Sequence, residues 1–185
     1  MNDDFQTVGG WRQPAITLPA SLADVEPVLR IRTPASMRYR YNPGSAPSRF
    51  LRGLKHKLLL GERCPDTGEV YIPPRGVSPT CGLPTTEQVE CGPYGTITSF
   101  CIVHIGFGVN APPTPFATAL ILPDHGSVSL YGPIQGIPLE DIRIGMRVEP
   151  VWVDDDQLET SFENIRWWRP IDEPDVDAAL LKGHM

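Results

Sequence analysis

The chain has 185 residues, 41% of them hydrophobic, and a formal net charge of −6. This length fits one domain of ordinary size or a small module joined to one domain, and the acidic balance argues against a nucleic-acid-binding protein, whose surface is usually basic. No apolar stretch has the length of a transmembrane helix and the first ten residues (MNDDFQTVGG) lack the parts of a signal peptide, so we expect a cytoplasmic protein with neither membrane nor nucleic-acid partners.

The chain begins with a segment that has few periodic signals. Residues 1–47 are predicted to form an arm with one short helix, which starts at the N-cap candidate Ser21 and is limited to a turn or two by Pro27. A second helix is predicted over residues 48–60. Its apolar face consists of Phe50, Leu51 and Leu54.

Residues 64–82 (CPDTGEVYIPPRGVSPTCG) have the outline of a small metal knuckle. In a complete zinc ribbon, two Cys-x-x-Cys hooks face each other across a hairpin and supply four thiolates. Here each hook keeps one cysteine, Cys64 or Cys81, while Thr67 and Ser78 stand at the other two positions. The sequence therefore predicts a degenerate zinc ribbon within a module of residues 48–92.

Between residues 93 and 170 the sequence becomes rich in Thr, Ile, Val and Phe, and it predicts five strands. They are placed at residues 94–105, 116–122, 127–131, 146–153 and 164–169. A long connection with a helical turn is expected between the third and fourth strands. This spacing fits a mainly β fold with a five-stranded OB-fold barrel, and a generic β-sandwich is the alternative. Residues 171–185 are predicted to form an acidic tail.

Several motifs carry a resemblance to a known family. They are YIPPR at residues 71–75, SPTC at 78–81, YGTITSF at 94–100 and IRIGMRV at 142–148. Together they resemble the bacterial and archaeal proteins that join a rubredoxin-like zinc ribbon to an OB-fold and partner thiolase-like enzymes. The resemblance covers about residues 48–170. The ending ENIRWWRP at residues 163–170 is similar to the subgroup that works with steroid side-chain aldolases, which are thiolases of the lipid-transfer-protein type.

The resemblance implies a non-catalytic subunit that binds and stabilises a thiolase-fold aldolase or thiolase acting on acyl-CoA esters. In the aldolase branch the partner performs a retro-aldol cleavage of a steroid side-chain β-hydroxyacyl-CoA. The simplest assembly is a two-plus-two heterotetramer. The resemblance also implies that the family's four metal-ligand positions match Cys64, Thr67, Ser78 and Cys81, so that only Cys64 and Cys81 remain as metal candidates.

Three alternatives remain open for the knuckle. The ribbon persists without metal, held by the packing of Val70, Ile72 and the prolines; or zinc is bound with substitute ligands; or Cys64 and Cys81 form a disulfide. Two thiolates are fewer than the four ligands of an ordinary structural zinc site. Zinc is the only cofactor that the sequence raises.

No pair of acid and base stands out, and we predict no catalytic residue. Cys101 and His104 are three residues apart on a predicted strand, so they point to opposite faces. The chain is therefore not expected to be an enzyme by itself. The alternatives are a stand-alone acyl-CoA-binding protein or hydrolase, and a binder of single-stranded nucleic acid.

A partner interface is predicted on two segments. In the first, Arg75 follows two prolines in a stiff segment and presents a fixed guanidinium to a partner or to Glu62 or Glu69. In the second, adjacent tryptophans on one strand must face opposite sides, so one needs external cover. The predicted interface residues are Tyr71, Pro73, Pro74, Arg75, Trp167 and Trp168.

Overall fold

The structure is a computed structural model that describes residues 5–8, 11–14, 19–22, 24–26, 37–38, 40–106 and 112–184. The chain divides into two compact units, residues 1–40 and 41–185. In the first unit, strands β1 (Phe5–Val8) and β2 (Trp11–Pro14) pair antiparallel, where an arm was predicted. The predicted short helix is a single 3-10 turn, Ala20–Leu22, in the described part. Its later part, residues 27–32, lies outside the described residues.

Helix α1 spans Ser45–Leu54, so the prediction of a helix over residues 48–60 was wrong at both ends. The chain turns sharply after the helix, because the N–H groups of His56 and Leu58 both donate to the carbonyl of Gly53 (2.8 and 3.0 Å). Leu58 and Leu59 follow this turn, and the next strand begins at Leu60. Phe50 and Leu54 are buried, as the predicted apolar face requires.

A three-stranded antiparallel sheet, which we call the knuckle sheet, follows the helix. It contains β3 (Leu60–Arg63), β4 (Val70–Tyr71) and β5 (Glu87–Glu90), in the order β4-β3-β5. The loop between β3 and β4 carries the first hook, and the loop between β4 and β5 carries the second. The structure thus places both hooks on one small sheet.

The remaining strands close into a barrel. They are β6 (Gly95–Val103), β7 (Phe116–Pro123), β8 (Leu130–Ile134), β9 (Arg147–Trp152) and β10 (Ile165–Pro170). Their order is β10-β8-β7-β6-β9, with β10 parallel to β8 and antiparallel to β9. Between β8 and β9 a 3-10 turn, Leu139–Asp141, occupies the predicted helical position. The mainly β fold with an OB-fold domain is confirmed, and the closure rules out the sandwich.

Trp168 fills the barrel and is only 1% exposed. Its indole lies against the backbone of Gly132 on β8, where an added Cβ would come within 2.7 Å of the ring. The barrel core and the knuckle sheet belong to one apolar cluster, which also contains Phe50 and Leu54 of the helix.

The acidic tail is attached to the barrel by an ionic contact. Arg147 on β9 donates to both carboxylate oxygens of Asp124 (2.7 and 2.8 Å) and to Glu173 in the tail (2.9 Å). These carboxylates raise the pKa of Arg147. The tail contains a 3-10 turn, Ala178–Leu181, in which the Asp177 side chain accepts from the N–H of Ala179 and Leu181 is buried. The proposed domain boundaries at residues 47, 92 and 170 stay a prediction.

Among the residues that the structure describes, no helix is long and apolar enough to cross a membrane.

We expect Gly132→Ala to destabilise the barrel by about 1–3 kcal/mol, because the new methyl group overlaps the Trp168 indole in a packed core. The measurement is the free energy of unfolding in urea. The matched control is Tyr131→Ala on the neighbouring, 71% exposed residue, which should change stability by less than about 0.5 kcal/mol. Equal stability of the two variants would contradict this packing.

Candidate functional site

The first hook, residues 64–67, begins where β3 ends and makes a tight turn. The N–H of Cys64 donates to the carbonyl of Glu69 (2.7 Å), and the N–H of Gly68 donates to the carbonyl of Cys64 (3.0 Å). The N–H of Thr67 donates to the Cys64 sulfur at 3.4 Å. Gly68 completes the turn with a φ of 75°, which glycine adopts without a steric penalty.

The second hook, residues 78–81, repeats this geometry with a serine at the first position. The N–H of Ser78 donates to the carbonyl of Leu83 (2.8 Å), and the N–H of Gly82 donates to the carbonyl of Ser78 (2.9 Å). The N–H of Cys81 donates to Oγ of Ser78 at 3.4 Å. Gly82 has a φ of 74°. The serine hydroxyl therefore accepts the bond that a sulfur accepts in the first hook, and both hooks fold alike.

The two hooks bring the predicted cysteines together. The Sγ atoms of Cys64 and Cys81 lie 3.6 Å apart. Two thiolates bound to one tetrahedral zinc at about 2.3 Å would lie about 3.8 Å apart. The side chain of Cys64 is fully buried, while Cys81 is half-buried. The spacing of a metal knuckle is thus kept even though two of its thiols are missing.

The two hydroxyls at the remaining corners are used within the protein. Thr67 Oγ1 donates to Oε2 of Glu69 (3.0 Å), and the Tyr71 hydroxyl donates to the same oxygen (2.6 Å). Ser78 Oγ accepts from the N–H of Thr80 (3.3 Å) and lies 3.3 Å from the Tyr71 hydroxyl. The hydrogen bond from Tyr71, followed by the one from Thr67, lowers the pKa of Glu69. The hydroxyls therefore form part of a hydrogen-bond network inside the knuckle.

This donor set does not fit a structural zinc ion. Such sites use four ligands drawn from thiolate, imidazole and carboxylate, and two neutral hydroxyls are not among them. Nowhere in the described residues do three or more His, Cys, Asp or Glu side chains group as metal ligands. The third cysteine of this region, Cys91, is buried in the apolar core, and burial raises its pKa to about 11.

The local hydrogen bonds change the acidity of the first thiol. Bonding by the Ser78 hydroxyl, and then by the hydroxyl and amide of Thr67, lowers the pKa of Cys64 to about 6. A thiol of that acidity is largely thiolate at neutral pH, which is the reactive form of cysteine. The knuckle therefore places an acidic thiol against a second, partly accessible thiol.

The predicted interface on the knuckle needs a correction. Tyr71 is 4% exposed and Pro74 is buried, so their side chains are covered by the chain itself and not by a partner. Pro73 is half-buried and Arg75 is exposed. The carboxylates suggested for Arg75 have other contacts, since Glu62 pairs with Arg49 and Glu69 accepts from hydroxyls.

The predicted interface also included the adjacent Trp167 and Trp168, and the two rings differ in their burial. Trp168 lies in the barrel core, so the expectation that it contacts a partner was wrong. Trp167 is half-buried, and the guanidinium of Arg166 lies 4.8 Å from the centre of its ring. The chain itself therefore covers at least part of both rings.

An outward face of the barrel was missed by the sequence reasoning. We call Cys101, Leu120 and Tyr131 the outer patch; all three are exposed, and they lie on β6, β7 and β8. Leu120 is directly opposite Tyr131 in the register of β7 and β8. The patch lines a shallow cavity of about 150 Å³ together with Phe100 and Thr118. The alternation of inward and outward residues along β7 could have predicted that Leu120 faces outward.

A wider groove of about 600 Å³ runs along β9 and β10. Its two basic side chains are both paired, Lys57 with Asp155 and Arg169 with Glu149. Of the two residues considered as a catalytic pair, Cys101 has its sulfur 3.2 Å from the hydroxyl of Thr118, and His104 is exposed.

Restoring the two missing thiols should create a zinc site. Because both hooks already have the knuckle backbone, we expect the double variant Thr67→Cys, Ser78→Cys to bind one zinc per chain tightly. The unmodified chain should hold less than one. Elemental analysis after dialysis measures this, with each single variant as a control. One tightly held zinc in the unmodified chain would show that other residues serve as ligands.

Comparison with known proteins places the fold in context. The family described as ChsH2, C-terminal OB-fold domain, matches residues 88–153. Two solved structures are similar at low identity. The structure titled Ltp2-ChsH2(DUF35) aldolase is 24% identical, with a TM-score of 0.53 over 72% of this chain and 98% of that chain. A DUF35 protein of unknown function from Sulfolobus solfataricus is 20% identical, with a TM-score of 0.51 over 69% and 84%. At these identities the likeness shows the fold alone.

A DUF35 domain-containing scaffold protein of Methanocaldococcus jannaschii gives the stronger relation. It is 32% identical over 106 residues, which are 56% of this chain and 74% of that protein. Together with the matched OB-fold domain, this identity shows that the chain belongs to the DUF35 family of OB-fold proteins.

Proposed function

We propose that this protein is a non-catalytic accessory subunit that binds and stabilises a thiolase-fold aldolase or thiolase acting on acyl-CoA esters. The observation that carries the proposal is the 32% identity to a protein named as a scaffold. The fold shared with a structure titled as an Ltp2-ChsH2 aldolase supports the same partner class.

The finer proposal concerns the reaction of the partner. The ending at residues 163–170 is similar to the subgroup that works with steroid side-chain aldolases. We therefore assign the partner a retro-aldol cleavage of a steroid side-chain β-hydroxyacyl-CoA. The proposed assembly is a cytoplasmic heterotetramer with two copies of each subunit, since thiolase-fold enzymes usually dimerise.

The surroundings of the thiols in this chain support the proposal that the partner supplies the catalytic residues. The thiols of Cys64 and Cys81 face each other, and the sulfur of Cys101 faces a hydroxyl. A nucleophile needs an adjacent base to act at neutral pH unless its own pKa is low. The thiol of Cys64, whose pKa is lowered by its hydrogen bonds, is fully buried and so does not meet a substrate directly.

The outer patch is the surface that we assign to the partner. Leu120 is 40% and Tyr131 is 71% exposed, and aromatic residues on apolar patches are frequent anchors of interfaces. Arg75, exposed on the knuckle, remains a second contact. The outer patch and Arg75 take the place of Tyr71, Pro74 and Trp168, which are buried in the chain itself.

A stand-alone acyl-CoA-binding protein is the weaker alternative. Coenzyme A carries several phosphate charges, which basic side chains would have to meet. The groove along β9 is lined by three carboxylates and two basic residues, and both basic residues are paired within the chain. Its electrostatic field therefore opposes an anionic ligand.

The isolated chain should show no turnover of acyl-CoA esters, while its complex with a thiolase-fold partner should. Steady-state assays of CoA-ester cleavage on the chain, the partner and the complex test this. If the chain alone turned over a substrate and His104→Ala removed that activity, the accessory role would be refuted.

Introducing charge into the outer patch should weaken assembly. We expect Leu120→Asp with Tyr131→Asp to lower affinity for the partner at least tenfold, or about 1.4 kcal/mol, because each carboxylate must be desolvated on docking. Co-purification and calorimetry measure the effect. The matched control is Leu180→Asp, at a 76% exposed leucine outside the patch, which should bind normally. Equal binding by both variants would place the interface elsewhere.

A further inference from the structure

We propose that Cys64 and Cys81 are a redox modification site, in which a reversible disulfide joins the two hooks where the zinc ribbon would hold a metal. The proposal starts from the 3.6 Å between the two sulfurs and from hydroxyls at the other two corners of the knuckle. It does not depend on the proposed function, because it concerns this chain alone.

The geometry favours this bond over other cross-links. A disulfide needs the sulfurs at about 2.05 Å, so they must approach by about 1.5 Å. Backbone hydrogen bonds fix both hooks. Cys64 follows the end of β3, and Cys81 lies in the loop that the bridge between Val77 and Pro84 closes. We therefore expect the two side chains, and not the backbone of the hooks, to make this approach.

The other two thiols are placed differently. The sulfur of Cys91 is buried in the apolar core and donates to the carbonyl of Val89. Cys101 is exposed on the outer patch, next to the hydroxyl of Thr118. Intramolecular oxidation should accordingly select the pair of Cys64 and Cys81.

Solvent exposure decides which of the two thiols reacts first with a peroxide. The half-buried Cys81 sulfur attacks one peroxide oxygen, breaks the O–O bond and becomes a sulfenic acid, with one water released. The Cys64 sulfur, 3.6 Å away, then attacks the Cys81 sulfur and displaces the hydroxyl as a second water. In total, two thiols lose two hydrogens and one peroxide is reduced to two waters. A dithiol reductant reverses the bond by exchange.

The disulfide should stabilise the knuckle, since it closes the segment between the hooks and restricts the unfolded chain. For a protein of this size we expect the melting temperature to rise by about 5 °C or more on oxidation. A metal in a complete ribbon would restrict the same segment.

The experiment uses the full chain carrying Cys101→Ser, which removes the exposed thiol, and the same chain with Cys81→Ser added as the matched control. Each is treated with hydrogen peroxide after dialysis against a chelator. We expect the first protein to lose two hydrogens in mass and two of its three thiols, and to yield one peptide pair linked through Cys64 and Cys81. Dithiothreitol should restore both thiols and the original melting temperature, while the control should form no intramolecular link.

Three results would overturn the proposal. One is conversion of Cys81 to sulfinic or sulfonic acid without a link to Cys64. Another is a link in either protein that involves Cys91. The third is zinc that survives the chelator in stoichiometric amount and blocks oxidation. Because Cys81 is half-buried, its replacement by serine should fold, and circular dichroism of the control verifies this.

Discussion

The knuckle sheet keeps its shape because it shares one apolar core with the barrel. Val70 and Ile72 are buried in the same cluster as the barrel residues Ile97 and Ile121. Backbone bonds reinforce the contact, since Val70 donates to the hydroxyl of Ser127 (2.9 Å) and accepts from its N–H (2.8 Å). A module of this size has too little core to be stable alone without metal. Here the barrel supplies additional core to the knuckle.

A buried carboxylate fixes the helix and the second hook to this core. Glu62 on β3 is 1% exposed, pairs with Arg49 of α1 and accepts from the hydroxyl of Thr85 (2.9 Å). A buried charge is tolerated only when it is paired and hydrogen-bonded. Thr85 also donates its N–H to the carbonyl of Gly76, which lies just before the second hook. The Glu62 carboxylate thus connects helix α1, strand β3 and the segment that contains Thr85. These segments are far apart in the sequence, so local patterns do not predict that they meet.

Local patterns predicted the barrel better than they predicted the surface. The strands were found within a few residues, because alternating β-branched residues and turn signals are local. The helix end was missed because Leu58, Leu59 and Leu60 continue the apolar pattern, although the helix ends at Leu54 and Leu60 already begins a strand. On β6 an irregularity in the register between Ile97 and Ser99 shifts the alternation. One extra residue sends every later side chain to the other face, so Cys101, which unbroken alternation from the buried Ile97 would turn inward, lies outside.

The hydroxyls of Thr67 and Ser78 show that the backbone of the hooks does not require four thiols. Each hook needs an acceptor for the N–H three residues on, and a serine oxygen satisfies that need as a cysteine sulfur does. A hydroxyl at the first position of a hook is therefore compatible with the same backbone as a thiol. The two thiols lie 3.6 Å apart because the hooks fold alike and because the sheet that carries them shares its core with the barrel.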